Sequence, residues 1–127
     1  MTPEAPGERL RILLLEDEGF VALMVEDMLD ILGYDVAASA ASVREALHAL
    51  EGAHFDVAVL DVNVAGEKSF PVAEALLRRA IPFAFATGYG IDGVREDLRG
   101  HPVVAKPFEI AALEQAISAA LAAGVSR

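Results

Sequence analysis

The sequence predicts an α/β fold, a doubly wound, five-stranded parallel sheet with helices on both faces. Strand-length apolar runs alternate with helix-length amphipathic stretches, the pattern of a mostly parallel sheet between two helix layers. A length of 127 residues suits one domain whose core needs no metal or disulfide staple. No repeat, linker or shift of composition divides the chain.

The elements read off in order. Arg11 to Leu15 is a buried strand. Glu18 to Leu32 places apolar residues at helical spacing, and Gly33 closes it. Asp35 to Ala38 is a short second strand. Ser42-Val43-Arg44-Glu45 is a capping box that opens a helix to about Leu50. Asp56 to Leu60 is the third strand. Ser69 caps the next helix, with Pro71 in its first turn and an end near Arg79. Phe83 to Ala86 and Pro102 to Ala105 are the last two strands, and Glu109 to Ala122 is a helix stopped by Gly124. The stretch from Thr87 to Lys106 is crowded. Only Ile91 to Arg99 can be helical, and Gly93 costs it about 1 kcal/mol relative to Ala. A distorted, mobile fourth helix is expected there.

Composition narrows the function. With no Cys, thiol catalysis, disulfides and Cys-ligated metals are excluded. Ten basic and twenty acidic residues give a net charge of −10, which disfavours nucleic acid. No apolar run reaches membrane-span length, and Met1 to Glu8 lacks the pattern of a signal peptide. A cytoplasmic setting is expected.

In a parallel sheet, ligands bind beyond the carboxyl ends of the strands. Glu16 and Asp17 follow the first strand, Asp61 the third, Thr87 the fourth and Lys106 the fifth. Three converging carboxylates either take up protons or share a cation. Oxygen-only ligands favour a hard ion such as Mg²⁺, with Mn²⁺ as a substitute. With the ion in place, Asp61 can attack phosphorus, while Lys106 and Thr87 contact the phosphoryl oxygens.

The set Leu15-Glu16-Asp17, Leu60-Asp61, Thr87 and Lys106-Pro107-Phe108 resembles the receiver domain of two-component response regulators, over roughly Arg11 to Leu121. The resemblance implies a flavodoxin-like sheet of order 2-1-3-4-5. It implies metal ligation by Asp17, by Glu16 through water, by Asp61 and by the Asn63 main-chain carbonyl. Asp61 would be the phospho-acceptor, Thr87 the sensor and Lys106 the bridge. The donor would be a histidine kinase or a histidine phosphotransfer protein.

The chain departs from the usual receiver at Val62 to Lys68, in the short Thr87–Lys106 segment, and at Val103, where a switch aromatic is usual. With Phe85-Ala86-Thr87-Gly88-Tyr89 it resembles the mostly single-domain subfamily named for its Phe-Ala-Thr-Gly motif, in which a tyrosine at the position of Tyr89 stands in for that aromatic. The expected division is a frayed leader over 1–9, a receiver domain over 10–123 and a tail over 124–127, with no output domain and a monomer by default. Phe20, Met24 and Met28 exceed what one buried stripe needs and suggest a docking patch. His48, His54 and His101 read as surface or loop residues.

Other functions fit less well. An aspartyl phosphohydrolase resembling the haloacid dehalogenase group needs an Asp where Asn63 stands. A nucleotide or flavin site needs a Gly-rich first turn, which Glu16 and Asp17 replace. A degenerate receiver acting only as an adaptor would lack site residues, and all five side chains are present. The expectation is a signalling switch with self-phosphotransfer and autodephosphorylation, not a metabolic enzyme. It would bind a downstream regulator protein.

Overall fold

A computed structural model describes residues 9–88 and 90–124. The chain runs β1 (Arg11–Leu15), α1 (Gly19–Ile31), β2 (Asp35–Ala40), α2 (Val43–Gly52), β3 (Val57–Asp61), β4 (Asn63–Val64), β5 (Glu67–Lys68), α3 (Phe70–Arg78), β6 (Phe83–Thr87), β7 (Val103–Ala105) and α4 (Ile110–Ala123). Five strands form one sheet in the order β2-β1-β3-β6-β7, and every pairing in it is parallel. This is the expected doubly wound sheet of order 2-1-3-4-5. Among the described residues no helix is long and apolar enough to cross a membrane.

Side chains alternate along the central strands and so feed two cores. Leu13 and Leu15 of β1 join Ala58, Leu60, Phe83 and Phe85 under α2 and α3. Ile12 and Leu14 join Val57 and Val59 under α1 and α4. Because both faces are covered, β3 and β6 are buried along their whole length.

Four features refine or correct the sequence reading. The expected distorted fourth helix takes the form of two 3₁₀ turns, Gly90–Gly93 and Glu96–Leu98, pinned to the core by the buried Val94 and Leu98. The loop after Asp61 folds into the two-stranded β4–β5 hairpin, which turns at Ala65 (φ 52°) and Gly66 (φ 85°). Both turn residues have positive φ, as a tight two-residue hairpin requires. Ser69 does precede α3, but with φ −86° and ψ 8° its hydroxyl makes no cap bond and is buried without a partner. A capping side chain needs the extended backbone that Ser42 has, and there Oγ accepts from the Glu45 N–H at 3.1 Å. His101 is half-buried and stacks on Phe83 at 4.3 Å, and that burial lowers its pKa.

Residues 1–8 of the expected leader and 125–127 of the expected tail lie outside the described residues. Arg9, also assigned to the leader, is tied to the end of α1 by an ion pair to Asp30 at 3.0 Å.

Candidate functional site

Strand register builds the site. Leu15 pairs with Leu60, Asp61 with Ala86, and Thr87 with Ala105. Glu16, Asp61, Thr87 and Lys106 therefore fall within about one residue of a common row at the carboxyl edge. The Lys106 N–H donates to the Thr87 carbonyl at 2.8 Å and carries the β6–β7 ladder up to the lysine. The Lys106–Pro107 peptide is cis. Glu16 N–H donates to the Ala40 carbonyl at 3.0 Å and does the same for β1.

Glu16, Asp17 and Asp61 each offer a carboxylate oxygen, all within 4.8 Å of one another. Glu16 and Asp61 are only 5% and 8% exposed, whereas Asp17 is open to solvent. Lys106 partly balances the cluster. Its Nζ donates to Glu16 Oε1 at 2.7 Å and to Asp61 Oδ2 at 3.1 Å. The other Glu16 oxygen accepts the N–H of Glu18, the residue before α1, at 3.1 Å, so Lys106 and the backbone hold this carboxylate from its two sides. Asp17 Oδ2 accepts the Ala65 N–H at 3.0 Å and ties the hairpin turn to the cluster.

Burial is the largest influence on Asp61 and raises its pKa to about 6. The Lys106 bond opposes this, and the charges of Glu16 and Asp17 add to it. For Lys106, burial alone would lower the pKa. The bonds to Glu16 and Asp61 outweigh it, and the net shift is upward. Lys106 is therefore a fixed positive charge beside a carboxylate that titrates near neutrality.

Asp17, Asp61, Asn63, Thr87 and Lys106 line one open cleft. Glu16 stands behind it, held by Lys106. Thr87 is 1% exposed at the end of β6. Tyr89, expected by resemblance to replace the switch aromatic, lies outside the described residues. Val103 opens β7 opposite Phe85 and packs on the larger core, so no aromatic occupies that position. Sequence reasoning missed Lys68, Glu18 and Asp92 as lining of the cleft. The signal for Lys68 was Ala65-Gly66 between Val64 and Glu67, a turn dipeptide between two very short strands.

An oxygen-only donor set with one exposed and two nearly buried carboxylates suits a hard divalent cation that keeps some of its waters. Outside the cleft, Phe20, Leu23, Met24 and Ile31 of α1 are exposed, whereas Met28 is half-buried against the second core. Of the expected patch, Phe20 and Met24 are exposed, Met28 turns inward, and Leu23 and Ile31 join it.

Comparison with known proteins agrees with this architecture. The solution structure of SdrG from Sphingomonas melonis Fr1 is 44% identical with a TM-score of 0.80, over 89% of this chain and 97% of that one. The Erythrobacter litoralis PhyR response regulator REC domain is 26% identical with a TM-score of 0.84, over 97% and 98% of the two chains. The sensory transduction protein LytR of Staphylococcus haemolyticus is 26% identical over 113 residues, 86% of this chain. That alignment spans 44% of LytR, so the chain covers under half the length of this relative. The description "Response regulator receiver domain" matches residues 12–118, and by that match over most of its length the chain belongs to the receiver family of two-component signalling.

Proposed function

We propose that Asp61 accepts a phosphoryl group from a histidine kinase or a histidine phosphotransfer protein. The chain then signals by changing shape and binding a downstream regulator protein. The observation that carries this reading is Asp61 itself, a nearly buried carboxylate held 3.1 Å from Lys106 in a cleft with Asp17 and Thr87. A relative, SdrG, adopts a BeF3-activated conformation.

A carboxylate with a pKa of about 6 is largely ionised at pH 7.5 and keeps more basicity than an ordinary aspartate. Asp61 Oδ forms the new bond to phosphorus as the donor's N–P bond breaks, and the electron pair leaves on the imidazole. Lys106 shifts its donation from Asp61 to a phosphoryl oxygen, and the Thr87 hydroxyl turns toward another. Asp17, Asp61 and the Asn63 carbonyl would hold Mg²⁺ or Mn²⁺, with Glu16 acting through water. The bound ion offsets the charge that builds on the phosphoryl oxygens. The added charge of about −1.5 to −2 draws Thr87 and Lys106 inward and biases the 3₁₀ segment between them.

The exposed apolar stripe of α1, Phe20, Leu23, Met24 and Ile31, fits a kinase or phosphotransfer docking face. The same reading assigns the chain to the cytoplasm, as a monomer without nucleic-acid or membrane partners. It acts as a switch rather than a metabolic enzyme.

Acetyl phosphate with Mg²⁺ tests the reading. Intact mass should rise by about 80 Da, one phosphoryl group, in the wild type and not in Asp61→Asn. No adduct in the wild type, or one that survives the substitution, overturns the reading of Asp61 as the acceptor.

A further inference from the structure

We propose that Lys68 is the residue that captures the phosphodonor's phosphoryl group at the mouth of the cleft. This rests on the reading of Asp61 as acceptor. The cleft is hostile to an anionic donor, because Asp17, Glu18, Asp61 and Asp92 all line it. Two lysines line it as well, Lys68 and Lys106. Lys106 is engaged by Glu16 at 2.7 Å and Asp61 at 3.1 Å. Lys68 is exposed, and its side chain has no hydrogen bond or ion pair among the described residues.

The hairpin aims this free charge. Lys68 pairs with Asn63, two residues beyond Asp61, across the β4–β5 ladder. Directly opposed residues of an antiparallel pair share a face, and both of these line the cleft. The backbone on either side is anchored. The Ala65 N–H bonds to Asp17 at 3.0 Å, and the Ser69 N–H bonds to the Val62 carbonyl at 2.9 Å. The ammonium therefore sits at the rim without a competing carboxylate bond, where it can pair with a non-bridging phosphoryl oxygen. With acetyl phosphate, the Asp61 Oδ–P bond forms as the acetyl O–P bond breaks, and the electron pair leaves on acetate. Lys68 donates hydrogen bonds throughout and keeps its proton.

The test follows the phosphorylation rate of Lys68→Ala and Lys68→Arg by intact mass against acetyl phosphate concentration, at low and high ionic strength. Mg²⁺ titration and thermal unfolding are run in parallel. Lys68→Ala is expected to lower the initial slope of rate against concentration by about two- to fivefold at low salt, the scale of one partly screened charge contact. The loss should shrink at high salt, and Lys68→Arg should restore most of the rate. Loss of a rim cation should leave Mg²⁺ affinity equal or higher and the melting temperature unchanged. An unaltered slope at low salt overturns the proposal. So does a loss of rate that comes with weaker Mg²⁺ binding and a lower melting temperature, because the lysine would then only support the hairpin. A wild type that never gains the phosphoryl mass removes the Asp61 reading and Lys68's role together, whereas an adduct formed equally fast in Lys68→Ala removes only the latter.

Discussion

Asp61 carries opposing demands. The proposed phosphoryl transfer needs a buried carboxylate among other carboxylates, and the fold is destabilised by one. Its folded pKa of about 6 lies above the ordinary 3.8, so the folded state binds this proton more tightly. The group's contribution to stability is full below pH 3.8 and is lost as pH rises through 6. Above that it leaves a constant penalty. Two pH units are worth about 3 kcal/mol, and solvent at the cleft mouth reduces this. Asp61→Asn in metal-free buffer should be more stable than the wild type by about 1–2 kcal/mol at pH 7.5. Lys106 keeps its bond to Glu16, so no orphaned cation offsets the gain. Urea unfolding at pH 7.5 and pH 4 checks this, since the gap should close toward the lower pH. A gap of equal size at both values would place its origin elsewhere than in this charge.

Among the elements, the segment between β6 and β7 is the least regular and sits beside the cleft that Asp61 lines. Arg95 holds it to α3. Its guanidinium bonds Asp97 at 2.7 Å and Glu74 at 2.8 Å, and it lies 5.5 Å from the centre of the Phe70 ring. Phe70 in turn meets Phe85 of β6 edge-on at 6.1 Å. The bonds to Arg95 hold the Asp97 carboxylate below its usual range. One charged residue thus links the segment to the strand that ends in Thr87. Arg95→Ala should speed amide hydrogen exchange over Ile91 to Leu98 by roughly three- to tenfold and leave α4 unchanged. Exchange across Ile91 to Leu98 as slow as in α4 of the wild type would show a rigid element despite its 3₁₀ geometry. That would remove it as the two-state part of the switch.

At the scale of the whole molecule, a net charge of −10 and a cluster of three carboxylates should make the fold responsive to divalent cations. Mg²⁺ at about ten times its dissociation constant should add roughly 1.4 kcal/mol, a few degrees in Tm. Sodium chloride of equal ionic strength is the control, and an equal shift from both salts would reduce the effect to screening. The sheet order and the row of Glu16, Asp61, Thr87 and Lys106 were legible from sequence, because strand-length apolar runs and carboxyl-end placement are local patterns repeated along the chain. The hairpin was not, since Ala65 rarely adopts a positive φ and its conformation is held by Asp17, 48 residues away. Nor was the failed cap at Ser69, which depends on the backbone angle set by the bond from its N–H to Val62. The sequence by itself determined which side chains meet at the sheet edge. Only the tertiary structure decided their electrostatics, with Lys106 paired to Glu16 as well as Asp61, Asp17 tied to the hairpin and the Lys68 side chain unpaired among the described residues. Those choices rest on distances of a few ångströms between residues far apart in the chain, and local periodicity carries no information about them.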